Sequence, residues 1–157
     1  MKFEEFVCFE ATIPQLQAKD RDGAITELVA ALVNGGKIPP ESGKEVTKAV
    51  IKRENEASTG MGKGVAVPHV KHTAVKSVVA AVGHSAAGID FASLDEQPVY
   101  SVILLISPVD NPDKHLQAME NIFRHLQKER FRKFLRQCRN AADLKDLLNE
   151  ADENPSW

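Results

Sequence analysis

One histidine in this chain stands on an unusual mount. The stretch Thr59-Gly60-Met61-Gly62-Lys63-Gly64-Val65-Ala66-Val67-Pro68-His69 sets glycines at 60, 62 and 64, then a short apolar run, then a proline directly before an imidazole. Alternating glycine lets a backbone take positive φ and come close to a ligand. Pro68 fixes its own φ and biases Val67 toward extended geometry. The pattern predicts an imidazole held stiffly at a strand end beside an open glycine loop. That layout suits a nucleophile that must meet a phosphate.

Four more histidines need sorting: His72, His84, His115 and His125. His125 is expected at the border of a helix and His84 at a strand end, both in structural roles. His72 falls in a polar turn with Lys71. His115 stands out with His69, because it sits in the first turn of a helix, at the edge of its apolar face. Three chemistries compete for such residues. Two histidines with a carboxylate could hold zinc, but no HxH, HExxH or Cys/His cluster is present. Serine hydrolysis lacks a GxSxG elbow. Phosphoryl transfer through a phosphohistidine needs a neutral ring nitrogen, which imidazole supplies with its unperturbed pKa of roughly 6.5. It also needs cationic or N–H donors around the phosphate, but no metal or cofactor. Arg53, the glycine-loop N–H groups and a second imidazole would meet that need. The glycines match neither the Rossmann nor the Walker pattern, so a nucleotide site is not expected.

Several elements must position these residues. Phe6-Val7-Cys8-Phe9 reads as a first strand. Asp20 and Asp22 offer caps to a helix from about Gly23 to Asn34, with Ile25, Leu28, Val29 and Leu32 at helical spacing and Gly35-Gly36 as its stop. Pro39-Pro40 opens a second helix with Val46, Ala49 and Val50 inward. Arg53 is in phase with that stripe, and spacing alone leaves it either a snorkelling side chain at a helix C-terminus or a site residue. Val78–Val82 and Val99–Ile106 are nearly continuous apolar runs, which predicts strands covered by helices on both faces. Gly88–Phe91 and Asp95–Pro98 read as turns between them. Asn111-Pro112 caps a third helix with Leu116, Met119, Ile122, Phe123 and Leu126 inward. A short helix follows around Phe131, Phe134 and Leu135, and a last one starts at Asn140. Residues 151–157 are polar and are expected to fray. The whole reads as one α/β domain, a mixed sheet between helical layers.

Composition narrows the function classes. The chain has 157 residues, 43% of them hydrophobic and 27% charged, and a net charge of −2. That is enough chain for a substantial core. The balance gives no field for nucleic acid. No apolar run is long enough to span a bilayer, and the acidic start lacks a signal region, so a cytoplasmic location is expected. Cys8 and Cys138 lie far apart without CxxC spacing and read as buried free thiols.

The same stretch resembles the active-site signature of the fructose/mannitol-type enzyme IIA of the bacterial phosphotransferase system, in particular its nitrogen-regulatory branch: Ser-Thr-Gly-x-Gly-x-Gly, aliphatic, Ala, aliphatic, Pro-His. Arg53-Glu54 upstream, Asp95-x-x-Pro98-Val99 and His115-Leu116 match further features of the family in the same order, and the resemblance runs from about Phe6 to Glu150. It implies a three-layer α/β/α sandwich with a mixed sheet, a single domain over residues 1–157 with its core at about 6–150. It implies that His69 accepts a phosphoryl group from the phosphocarrier HPr, that His115 holds phosphate or orients the ring, and that Arg53 neutralises charge. Gly62, Lys63 and Gly64 would shape the phosphate pocket. The acceptor would be an enzyme IIB cysteine or a regulated target protein, with a regulatory role favoured because no IIB or membrane segment is fused to the chain. Two departures stand at the rim: Val70 follows Pro-His where a small residue is usual, before Lys71 and His72, and Lys63 replaces a common Asn. Lys63 either adds positive charge near a docking phosphate or is a solvated surface lysine. The alternatives are a non-catalytic, phosphorylation-dependent binding module on the same fold and a metal-dependent hydrolase using the same histidines.

Overall fold

A computed structural model describes residues 1–154 and Ser156. The chain begins with two short 3-10 turns, Phe3–Glu5 and Phe9–Ala11. Helix α1 (Arg21–Asn34) follows, then a 3-10 turn at Pro40–Ser42 and helix α2 (Gly43–Glu56). Strands β1 (Gly60–Gly62), β2 (Val65–Ala66), β3 (His69–Lys71), β4 (Val79–Ile89) and β5 (Val99–Ser107) come next. Helices α3 (Pro112–Leu126), α4 (Glu129–Gln137) and α5 (Ala141–Glu153) complete the chain.

β5 is the axis of the sheet. It pairs antiparallel with β4 on one side. On the other it pairs parallel with β2 (Val65 opposite Ser101) and then with β3 (His69 opposite Leu105). β2 and β3 are therefore two segments of one line, interrupted where Pro68 has no N–H to give. β1 returns antiparallel on β2. Alternation along the strands feeds two cores. Ala80, Val82, Ile103 and Leu105 point to α3, α4 and α5. Val79, Ala81, Val102, Leu104 and Ile106 point to α1 and α2. The expected α/β/α sandwich with a mixed sheet is the fold observed.

Several local expectations hold because the chemistry is local. Asp20 accepts from Gly23 N and caps α1, and Asn140 accepts from Asp143 N and caps α5. Others need correction. The expected first strand at 6–9 is a single bridge, Val7 to Ala80, between two 3-10 turns, because β4 offers its edge there to one residue only. β4 runs on through the expected turn at Gly88-Ile89. Leu116 points outward, at 57% exposure, while Ala118 and Asn121 are buried in its stead. Phe134 on α4 is also exposed, while Phe131 and Leu135 are buried. The fraying expected from residue 151 does not begin there. Ala151 is buried, and the Asp152 carboxylate accepts from the N–H groups of Phe3 and Glu4, 2.8 and 3.1 Å, tying α5 to the N-terminus. Pro155 and Trp157 lie outside the described residues.

Candidate functional site

His69 opens β3, near the C-terminal end of the β2–β3 line, beside Leu105 of the central strand. In parallel sheets this is the end where ligands bind, since helices there turn their termini toward the strand ends. Its Nδ1 is 2.8 Å from the Val67 carbonyl oxygen. A carbonyl only accepts, so Nδ1 carries the proton and the lone pair of the neutral ring lies on Nε2. Pro68 between the two residues makes this bond possible by holding the chain in its bend. Burial holds the His69 pKa below the ordinary histidine value, and the Arg53 charge lowers it further, against the opposing pull of the Val67 carbonyl. The ring is therefore neutral and nucleophilic near pH 7.

His115 comes to this place from α3. Asn111 caps that helix by accepting from Lys114 N, and Pro112 starts it, which fixes His115 in the first turn. The two imidazoles lie 5.7 Å apart, centroid to centroid, tilted by 42°. Nδ1 of His115 is 2.6 Å from the hydroxyl of Ser107, a fully buried residue at the end of β5. Burial depresses the His115 pKa, and the charges of His69 and Lys71 add to this, so the pair resists double protonation. Arg53 arrives from the last turn of α2 and donates to the Ala57 carbonyl at 3.0 Å. The structure thus brings together His69, His115 and Arg53.

It does not bring Gly62, Lys63 and Gly64 with them. These residues form the turn between β1 and β2, with φ of +90°, +59° and +81°. Gly64 O accepts from Tyr100 N and Ser101 N, and Lys63 N donates to Asp95 Oδ2 at 2.9 Å. Four strand residues, about 13 Å, separate Ser101 from Leu105, where His69 pairs. The glycines form a tight hairpin, and the exposed Lys63 stands toward the other end of the strand line from His69. The part of the glycine stretch nearest His69 is its start, where Val67 N donates to Thr59 O.

Two positioning residues carried weaker signals in the sequence. Glu54 is buried, and its carboxylate accepts from Thr59 N at 2.7 Å and Thr59 Oγ1 at 2.6 Å. It anchors the entry to the strand that carries His69. Ser107 steers the His115 ring. In the sequence Glu54 stands out only through the Arg53-Glu54 match, and Ser107 only as the residue before Pro108. Of the other histidines, His84 is buried in the middle of β4 and not at a strand end, His125 is buried on α3 and not at the helix border, and His72 accepts from Ala74 N. Among the described residues no group of three His, Cys, Asp or Glu is arranged to hold a metal ion. No described helix is long and apolar enough to cross a membrane.

Residues 7–151 match the family described as phosphoenolpyruvate-dependent sugar phosphotransferase system, EIIA 2. The chain belongs to this family. This enzyme IIA is 32% identical over 133 residues to the PTS system fructose-specific EIIA component of Haloferax volcanii, covering 85% of each chain. It is 30% identical to the nitrogen regulatory protein of Bradyrhizobium diazoefficiens, covering 94% of this chain and 95% of that one. It is 29% identical to the PTS system fructose-specific EIIABC component of Bacillus subtilis, but spans only 24% of that protein. The fold matches the crystal structure of the nitrogen regulatory protein IIA-Ntr from Neisseria meningitidis, with a TM-score of 0.81, 22% identity, and 92% and 97% of the two chains covered. It also matches the Escherichia coli IIA mannitol chain in a complex with phosphorylated enzyme IIB, with a TM-score of 0.73, 21% identity, and 90% and 95% covered. The enzyme IIA role, phosphocarrier in sugar uptake or in nitrogen regulation, is the role of this chain.

Proposed function

We propose that His69 is the residue that carries the phosphoryl group and that Nε2 is the atom that bonds to it. The observation behind this reading is the Nδ1–Val67 hydrogen bond, which commits the other nitrogen to the lone pair. In-line attack by Nε2 on a phosphohistidine donor forms one N–P bond as the donor N–P bond breaks. The ring becomes an N-phosphoimidazolium whose Nδ1–H stays on the Val67 carbonyl, so the developing positive charge meets a fixed dipole. In this reading Arg53 and His115 hold the phosphoryl oxygens, and positioning with charge neutralisation supplies most of the rate. HPr is the donor in this reading. The acceptor is an enzyme IIB or a regulated protein, and the exchange takes place in the cytoplasm.

Incubation with phosphorylated HPr tests the assignment. Wild-type chain acquires an acid-labile, base-stable phosphate, and His69→Ala acquires none. Full labelling of that variant overturns the assignment.

A further inference from the structure

His72 stands three residues past His69, where the chain leaves β3 on its way to β4. Lys71 and Thr73 on either side of it are exposed, yet its own side chain is only 11% exposed. A polar side chain buried within a polar turn is held there by specific partners. Three contacts hold this residue, and they reach three different parts of the site.

The first contact is to β5. His72 N donates to the Ser107 carbonyl at 2.8 Å, which carries the β3–β5 pairing one residue beyond Lys71. Ser107 is fully buried, and its hydroxyl is the group 2.6 Å from His115 Nδ1. The second contact is within the turn. His72 Nδ1 accepts from Ala74 N at 2.9 Å, and Ala74 packs against the core beneath α1 and α2. Accepting there leaves the proton of the neutral ring on Nε2. The third contact is to α2. That Nε2 lies 3.5 Å from Glu45 Oε1, in the first turn of the helix whose last turn carries Arg53.

The spacing along the helix matches the spacing along the strand. Glu45 and Arg53 are eight residues apart, about 12 Å of helix, and the i, i+4, i+8 series keeps them on one side of it. His69 and His72 are three residues apart, about 10 Å of extended chain. Helix α2 therefore meets this stretch at two rungs: Glu45 faces His72, and the Arg53 charge acts on His69. A helix is stiff over two turns, so holding the first rung holds the second.

We infer that His72 is a positioning residue for phosphoryl transfer: it joins β3, β5 and α2 at one point and so sets Arg53 and His115 at their working distances from His69. It acts through those two residues and not on the phosphoryl group itself. The inference rests on the reading of His69 as the phosphoryl carrier. A misplacement of about 1 Å costs up to about a hundredfold in rate, so the effect of losing His72 falls on the maximal rate and not on donor binding.

Rapid-quench transfer from phosphorylated HPr to the full chain tests it. His72→Ala is expected to lower the maximal rate about tenfold while the half-saturating concentration of donor stays the same. Glu45 is exposed, so its replacement leaves the fold intact, and Glu45→Ala is expected to lower the maximal rate about threefold, the scale of an exposed contact. His72→Asn keeps an acceptor for Ala74 N as an Asx turn but is too short to reach Glu45. It should keep the wild-type melting temperature and transfer at the Glu45→Ala rate. The chain with both alanine substitutions should be no slower than His72→Ala alone, because the two residues act through one contact. The inference alone is overturned if His72→Ala keeps the wild-type maximal rate, if His72→Asn and Glu45→Ala both do, if the loss appears in the half-saturating concentration instead, or if the two losses multiply in the double variant. Absence of label on His69 in the wild-type chain overturns the carrier reading itself, so the two failures are told apart.

Discussion

The Nδ1–H of His69 donates to the carbonyl of Val67, two residues earlier in the same strand line. This one bond decides which ring nitrogen keeps the lone pair, and it is made within the Val67-Pro68-His69 tripeptide. After transfer from HPr, phosphorus–nitrogen coupling is expected on Nε2, with Nδ1 still protonated. Coupling at Nδ1 would show that the ring turns over before it reacts.

His115 has a less committed ring, because its Ser107 partner can either give or take a proton. His115→Ala should fold as wild type and lose about tenfold or more in transfer rate, as the removal of one group that stabilises developing charge does. Ser107→Ala should fall between the two. Rapid-quench kinetics in both directions measure this, and equal rates for all three chains would remove His115 from the site.

Glu54 holds both the N–H and the hydroxyl of Thr59 from a buried position. Glu54→Ala leaves those donors without a partner and should cost about 2–4 kcal/mol of stability, measured by urea unfolding. Glu54→Gln keeps one acceptor oxygen and should lose less. A loss below about 0.5 kcal/mol for the alanine variant would mean that water replaces the carboxylate without penalty.

Lys63 takes φ of +59°, a region that costs a side chain about 1 kcal/mol. Lys63→Gly should therefore raise stability by up to about 0.5 kcal/mol after the added freedom of the unfolded glycine is counted. It should leave labelling of His69 unchanged, because the turn lies at the other end of the strand. Slower labelling would return Lys63 to the phosphate pocket.

Four histidines, His69, His84, His115 and His125, are held below their ordinary pKa, in each case chiefly by burial. Such a group binds its proton more weakly in the folded than in the unfolded chain. Stability is complete above the unfolded value, about 6.5, and falls as the pH drops below it. The melting temperature should decline steadily from pH 7 to pH 5. His125 is packed between the rings of Phe3 and Phe131, at 5.0 and 5.3 Å, and its Nε2 is buried without a partner. His125→Phe should hold or gain stability at pH 7 and flatten this decline. An unchanged slope would place the titration on the other three rings.

Much of the fold was legible because its causes are short-range. The caps at Asp20, Asn111 and Asn140 are bonds between residues three apart. The apolar runs around Val82 and Leu104 could only be strands covered on two sides. The errors fell where a partner far along the chain decides. Val7 is one bridge and not a strand, because the edge of β4 accepts one residue there. Leu116 is exposed since the rotation of α3 is set by how Ala118 and Ile122 meet the sheet. Ala151 and Asp152 stay ordered because the N-terminus binds them.

The site divides in the same way. By itself the sequence determined that an imidazole follows a proline at a strand end and that a second imidazole opens a helix, since backbone chemistry at Pro68 and Pro112 needs no distant partner. Only the tertiary structure decided which residues meet. Strand pairing sets His69 beside Leu105 and the glycine turn beside Ser101, so one contiguous stretch of sequence serves two ends of a sheet. The physical reason is that an extended chain advances about 3.3 Å per residue, while Arg53 and His115, 62 residues apart, are folded back by helices on opposite faces to the same strand end.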